Sequence, residues 1–392
     1  MSVTFPRGFR AAGVAAGFKA SGRPDLGLLM AEAPATAAAA FTTSALPAAP
    51  VILSRRHLAD GTARAVAVNS GQANAGTGAH GITDAEETAS IVAEAVGCDV
   101  REVVICSTGV IGPRVPLDRL RAAIPPTVRS LAVDGGPAFA EAILTTDPRP
   151  KEATASAGPY RIGGCAKGAG MIAPRLAPLA TMLAFLTTDA PVSRPALGRI
   201  VAERVVPVWN GVVVDDCQST NDTVLLLASG AAGGDVIDGG REEAALGEAV
   251  EGVCRELAHR MVADAEGAST VLVVQVEGAR SADDARGVGL AVAGSSLVKT
   301  AVFGRDPNPG RLLQAAGDAG VALDPAALNV SLGAVPVVDG GVVLPVDERV
   351  RSALKEAEVV IRLDLGAGSA SATAFGCDLG YEYVRINAEY ST

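Results

Sequence analysis

"LAPLATMLAFLTTDA", residues 176–190, lies near the middle of the chain and governs how the rest is read. A short apolar run rich in sheet formers is a core β-strand, and threonine packs well in sheets. Three threonines and an aspartate near its end are more polarity than such a strand needs. The question is whether one of them does chemistry. Outward from this run, "ARAVAVNSG" (63–71), "EVVICSTGV" (102–110), "TVLLLAS" (223–229) and "TVLVVQVEGA" (270–279) read as strands closed by Gly or Ser. The spacing Thr83-x-x-Glu86 is a capping box that predicts a helix opening there and running to about Val96. Apolar residues at 246, 250, 253, 257 and 261 share one face of a helix predicted from Arg241 to Val262. The last hundred residues read as strands: "LNVSLGAVPVVDGG", "VVIRLDL", "SASATAFGCDL" and "YEYVRINAEY". Helices bunched between groups of strands predict an α/β protein with mixed sheets, a four-layer α/β/β/α sandwich rather than a doubly wound sheet.

Composition narrows the function. Apolar residues are 49% of the chain but aromatics only 3%, so the core must be built from Ala, Val, Leu and Ile. A net charge of −10 with no basic run argues against nucleic acid and anionic membrane as partners. The opening "MSVTFPRGFRAAG" has no apolar h-region, and the uncharged apolar run 176–186 is too short for a bilayer, so a cytoplasmic protein is expected. Cysteines 98, 106, 165, 217, 254 and 377 form no C-x-x-C pair and are expected to be reduced and buried. Histidines occur only at 57, 80 and 259, which predicts no metal site and leaves little material for a Ser-His-Asp triad. Two Gly-rich stretches invite other readings. "GAGMIA" (168–173) fits a dinucleotide fingerprint, but Pro174 and Pro178 fall where that motif needs an unbroken helix. "STGVIG" (107–112) is no P-loop; it sets a hydroxyl and a flexible backbone N–H side by side after a strand, as a plain turn also would.

"KGAGMIAP" (167–174) followed by "ATMLAFLTTDA" (180–190) resembles the ornithine acetyltransferase family of arginine biosynthesis, also called glutamate N-acetyltransferase. The resemblance runs nearly end to end. It takes in "PRGFRAAGVAAGFK" (6–19), "FTTSALPAAPV" (41–51), "NSGQANAGTG" (69–78), "STGVIG", "TTDPRPK" (145–151), "STNDT" (219–223), "VKTAVFGRDPNPGR" (298–311) and the terminal "INAEYST". It implies a self-cleaving precursor of the N-terminal-threonine nucleophile type. The Ala180–Thr181 bond would break, giving an α chain of 1–180 and a β chain of 181–392, expected to assemble as two of each. Thr181 would be the nucleophile, and Thr187 and Thr188 ordinary sheet residues. A threonine hydroxyl needs a base beside it, and the freed α-amine of Thr181, with a reference pKa of about 8, can serve. Lys167, if near, would favour the neutral amine.

The implied reaction is acetyl transfer from N-acetylornithine to glutamate through an acetyl-Thr181 ester, with no cofactor and with acetyl-CoA allowed as a second donor. The sequence has no basic cluster for the phosphates of acetyl-CoA, so N-acetylornithine is expected to be much the faster donor. By resemblance the oxyanion donors are the Thr108 hydroxyl and the Gly109 N–H. The substrate contacts are Thr145, Lys167, Thr181, Glu266, Asn387 and Thr392. Thr145 is named by resemblance, with its neighbour Thr146 almost equally eligible; in a strand the two face opposite ways, so only one of them is expected to line the pocket. Departures are also present. The Lys167–Thr181 linker is three residues longer than the family's usual form, Pro309 stands where tryptophan is usual, Ala265 and Thr270 replace Gly and Lys, and Gln72 replaces asparagine. Two other readings stay open: an acyl hydrolase or aminopeptidase on a related self-cleaving fold, and an uncleaved amino-acid-binding paralogue.

Overall fold

The computed structural model describes residues 2–173, 175–177 and 182–389. Its first sheet contains nine strands: β1 (Phe9–Val14), β2 (Leu26–Thr42), β3 (Thr62–Gln72), β4 (Val103–Val110), β5 (Lys151–Ala157), β6 (Tyr160–Lys167), β7 (Leu176–Ala177), β8 (Leu183–Thr188) and β9 (Thr223–Ala228). Their order is β4-β3-β2-β9-β8-β6-β5, with β1 and β7 also on β2. The β3–β4 and β8–β9 pairs are parallel, so the sheet is mixed.

The long strand β2 is shared by two half-sheets. Its first part pairs with β1 and β3, its second with β9, and its register on β3 shifts between Met30 and Ala35. Pro34 falls in that irregular stretch, where a residue without an N–H is tolerated. The halves then face each other across a shared apolar layer. Leu29, Val66 and Val104 from one half meet Leu183, Phe185, Leu225 and Leu227 from the other. Helix α4 (Gly136–Ala142) adds Phe139, whose ring meets Phe185 edge-on with centroids 5.3 Å apart.

Outer helices cover both backs. Helices α1 (Ala49–His57), α2 (Gly78–Val96) and α3 (Leu117–Arg129) bury Leu53, Ala89, Val92, Leu120 and Ile124 against Leu28, Ala67 and Ile105. On the other back lie α5 (Arg194–Ile200), α6 (Val206–Trp209) and α7 (Gly240–Ala263), over Ile162, Ala184, Leu186 and Leu226. This is the expected α/β/β/α sandwich.

Helix α7 bears out the predicted spacing, since Leu246, Val250, Val253, Leu257 and Met261 are all buried. It also touches a second sheet that the sequence did not separate from the first. That sheet holds β10 (Val271–Ala279), β11 (Asn329–Leu332), β12 (Val335–Asp339), β13 (Val342–Val343), β14 (Glu358–Asp364) and β15 (Ala370–Cys377). Alternation divides β10 cleanly: Val271 and Val273 join the layer of α7, whereas Leu272, Val274 and Val276 face the opposite way. That second face packs on α8 (Ala282–Gly294), α9 (Ser296–Phe303), α10 (Pro309–Gly317) and α11 (Glu348–Ala353). Pro309 opens α10 at a position where proline is favoured.

Three local expectations need correction. Helix α2 begins at Gly78, and Thr83 lies inside it, 3.4 Å from the carbonyl of Ala79, so no capping box operates there. Residues 381–389 of "YEYVRINAEY" form helix α12 (Tyr381–Glu389) rather than a strand. Arg385 pairs with Glu382 and Glu389 at helical spacing, and no residue of the element is buried, so nothing imposes a sheet period. Cys217 is exposed and Cys98 half-buried; the other four cysteines are buried as expected. Among the described residues no helix is long and apolar enough to cross a membrane.

The opening stretch is now accounted for at its far end. Thr187 and Thr188 are buried, and the Thr187 hydroxyl donates to the carbonyl of Val3 at 2.8 Å. Asp189, fully buried, accepts from the Arg7 guanidinium and the Arg161 N–H, both at 2.8 Å. These polar groups close the strand. The proposed cleavage pair Ala180–Thr181 and the two prolines Pro174 and Pro178 lie outside the described residues, as does Thr392.

Candidate active site

A cavity of about 680 Å³ opens at the C-terminal ends of β3, β4 and β6 and the start of β8. Its wall includes Thr108, Gly109, Thr145, Lys167, Glu266 and Asn387, so every described residue expected at the site is brought together. Thr146 lines it as well. Residues 144–150 form no strand, so the expectation that only one of the two threonines can line the pocket does not hold. Thr181 lies outside the described residues, but its chain neighbour Met182 is buried, lines the cavity, and accepts from the Thr223 N–H at 2.9 Å.

The parallel β3–β4 pair carries the first cluster. Gly71 stands opposite Gly109 at the end of the ladder. Gly109 has φ +126°, and a Cβ there would sit 2.4 Å from the Gly71 carbonyl carbon, so only glycine allows the strands to approach this closely. Beside it the buried Thr108 hydroxyl accepts from Lys167 Nζ at 3.0 Å. An ammonium only donates, so the hydroxyl's own hydrogen remains available for another acceptor.

Lys167 is buried, and burial lowers its pKa; Asp147 is the chief opposing influence, while Lys151 lowers it further. Asp147 itself is fully buried. Burial alone would raise its pKa, but Lys167, Lys151 and the Gly168 N–H outweigh this and bring it to about 2. Its oxygens accept from Lys151 Nζ at 2.8 Å, Gly168 N at 2.6 Å and Thr145 N at 3.2 Å. Lys151 reaches Asp264 at 3.4 Å, which also takes a bond from Arg149. This network fixes the floor beneath Lys167 and ties Thr145 to it.

The opposite wall belongs to Glu266. A Cβ on Gly170 would lie 2.4 Å from Glu266 Oε2, and the Glu266 N–H donates to the Ala169 carbonyl at 2.9 Å. Gly170 of "GAGMIA" therefore makes room for a carboxylate, whereas Gly168 makes room for the Ile172 and Met261 side chains. No helix starts in 168–173, which removes the dinucleotide reading. Asn387 on α12 donates to Glu266 at 3.0 Å. Asp215 holds the backbone N–H groups of Met171 and Ile172 at 2.7 and 2.8 Å and receives the Tyr383 hydroxyl of α12 at 3.4 Å.

Lys19, Gln72 and the 219–222 segment also line the cavity, and sequence reasoning gave them no role. The motifs carrying them were visible, but a side chain in a loop has no period to show where it points. None of the histidines or cysteines lines the cavity, so neither residue type supplies the reactive group here.

Fold and site together define an α/β/β/α sandwich protein with a cavity lined by lysine, carboxylate and hydroxyl side chains at the strand ends of its two half-sheets. The chain belongs to the ArgJ family, whose model matches residues 10–392. It is 44% identical over 393 residues to the arginine biosynthesis bifunctional protein ArgJ of Thermobifida fusca, covering 100% of both chains. A protein of the same description from Geobacter sulfurreducens is 44% identical, with 98% of this chain and 99% of that one covered. Among solved structures, ornithine acetyltransferase of Mycobacterium tuberculosis complexed with ornithine matches at 47% identity and a TM-score of 0.44, covering 45% of this chain and 96% of that chain.

Proposed function

We propose that this protein transfers the acetyl group of N-acetylornithine to glutamate by a two-step exchange on Thr181. The observation that carries the reading is the convergence of Thr108, Gly109, Lys167, Glu266 and Asn387 on one cavity whose wall continues into Met182, the residue after Thr181. In the first step Thr181 Oγ1 attacks the acetyl carbonyl, the C–N bond breaks, and ornithine leaves with its nitrogen reprotonated. In the second, the glutamate amine attacks the ester and Thr181 recovers its proton. After cleavage of Ala180–Thr181, the threonine's α-amine is the base that moves these protons. The free hydrogen of Thr108 and the N–H of Gly109 are the donors for the tetrahedral oxygen. Lys167 suits the substrate carboxylate, and Glu266, oriented by Asn387, the substrate's amine. Thr145, tied to Asp147, completes the described wall, and Thr392 is assigned to the substrate by family resemblance alone.

Cleavage leaves the fold interlocked, because β8 and β9 lie inside the first sheet between β2 and β6. A pair of such two-chain units, working in the cytoplasm, is the assembly this reading expects. The relatives are described as bifunctional, which fits a second donor; acetyl-CoA takes that place in this reading, as the slower one because the sequence has no basic cluster for its phosphates. The test is initial-rate kinetics with N-acetylornithine and glutamate varied together. Parallel double-reciprocal lines are expected, with Thr181→Ala inactive and remaining one chain on a denaturing gel. Intersecting lines, or a Thr181→Ala variant that still splits at the same bond, would overturn it.

A further inference from the structure

The cavity contains two ammonium groups, and the reaction proposed above accounts for one. Lys167 gives a hydrogen to a hydroxyl, that of Thr108, and Lys19 gives one to the Pro24 carbonyl at 2.7 Å. Neither has a carboxylate in ion-pair contact among the described residues, whereas Lys151 below them is bound to Asp147 and Asp264. A lysine left on a neutral acceptor at a cavity wall keeps capacity for an anion.

Lys19 is held there by a built loop. Asp25, fully buried, accepts the N–H groups of Ala16 at 2.6 Å and Lys19 at 2.8 Å, and its carbonyl accepts from Ser70 at 2.8 Å. Gln72 Nε2 donates to the Phe18 carbonyl at 3.3 Å. Gly71 admits the Phe18 backbone, which a Cβ there would meet at 3.1 Å. The loop is thereby seated on the end of β3, next to Gly109 on β4. Beyond burial, the charges that act on Lys19 are, in order, those of Asp25, Arg23, Lys167 and Asp147.

The two substrates share an α-carboxylate and the reacting α-nitrogen. They differ at the far end, where N-acetylornithine carries an ammonium and glutamate a second carboxylate. One lysine serves the carboxylate that both possess. A second lysine on the same cavity benefits only the substrate that has two. We propose that Lys19 binds the side-chain carboxylate of glutamate and so selects the acetyl acceptor. The inference rests on the acetyl-transfer reading.

The test separates the half-reactions in the purified full-length protein and in its Lys19→Gln and Lys19→Arg variants. Release of ornithine from N-acetylornithine reports the first half. Discharge of the acetylated protein by glutamate, with glutamine as the neutral isostere, reports the second. In Lys19→Gln, kcat/KM for glutamate should fall about 10- to 100-fold, the loss of one charged hydrogen bond. Ornithine release and discharge by glutamine should fall far less, and Lys19→Arg should restore the preference for glutamate. Equal losses in both half-reactions, or an unchanged glutamate-to-glutamine ratio, would overturn the assignment. A wild-type protein that releases no ornithine would instead overturn the acetyl-transfer reading and this inference with it.

Discussion

Replacing Gly109 by alanine tests whether the approach of β3 and β4 sets the chemistry. The added Cβ would lie 2.4 Å from the Gly71 carbonyl carbon and 2.5 Å from its oxygen, where real Cβ contacts do not come under 3.0 Å. Both near atoms are backbone, so relief requires the strand ends to part by about 0.6 Å, the difference between 3.0 and 2.4 Å. A φ of +126° adds strain of about 1–3 kcal/mol for any side chain. The pairs from Ala65/Val103 to Val68/Cys106 lie away from the clash, so the fold should persist. A misplacement approaching 1 Å at reacting groups can lower the rate about 10²-fold, and that is the fall in kcat expected here. The assay is single-turnover release of ornithine at saturating N-acetylornithine. Gly112→Ala is the control: it has φ +110° but nothing within 4 Å of the new Cβ, so it carries strain without displacement. Near-normal turnover by Gly109→Ala, or an equal loss in Gly112→Ala, would refute the reasoning.

Three further outcomes follow from the same geometry. Thr108→Ala removes one of two proposed oxyanion donors, so kcat should fall about 10²–10³-fold with little change in substrate affinity, measured by steady-state kinetics. Asp147→Asn should be less stable than wild type by about 2 kcal/mol at pH 7, because the carboxyl sits at about 2 in the fold against 3.8 ordinarily. A lowered carboxyl pKa stabilises fully above 3.8 and is lost as pH falls through 2, so urea unfolding should show the same gap at pH 7 and pH 5 and a shrinking one below pH 4. Lys19 is lowered to about 8, first by burial, with Arg23 and Lys167 lowering it and Asp25 and Asp147 opposing. It is charged below that value and neutral above, so the glutamate-to-glutamine selectivity should decline between pH 7 and pH 9 in wild type and stay flat in Lys19→Arg.

Periodic elements were legible in the sequence. The face of α7 and the strand runs through Val66, Ile105, Leu226 and Val273 follow directly from spacing, because burial on one side imposes a period. The four layers were legible too, from the bunching of helices. The second sheet was not, because its strands look no different in sequence from those of the first, and only the two-faced burial of β10, one side on α7 and the other on α8, separates them. Residues 381–389 misled because Tyr381, Tyr383 and Val384 favour strands, while the helix is decided by charge spacing and by docking of Asn387 and Tyr383. At the site, Thr108, Gly109, Lys167, Glu266 and Asn387 were named through resemblance, and the structure puts them on one cavity. Lys19 and the Asp147–Lys151 pair were missed, since both act through loops and long-range charge that no window of sequence displays.

The central claim is that an acetyl group rests on Thr181 between the two substrates. Intact-mass analysis of protein incubated with N-acetylornithine alone, followed by peptide mapping, tests it most directly. The account predicts two chains, with one acetyl group on the N-terminal threonine of the chain beginning at Thr181, and its loss on adding glutamate. A single uncleaved chain, or two chains with no acetylation under conditions that release ornithine, would contradict it.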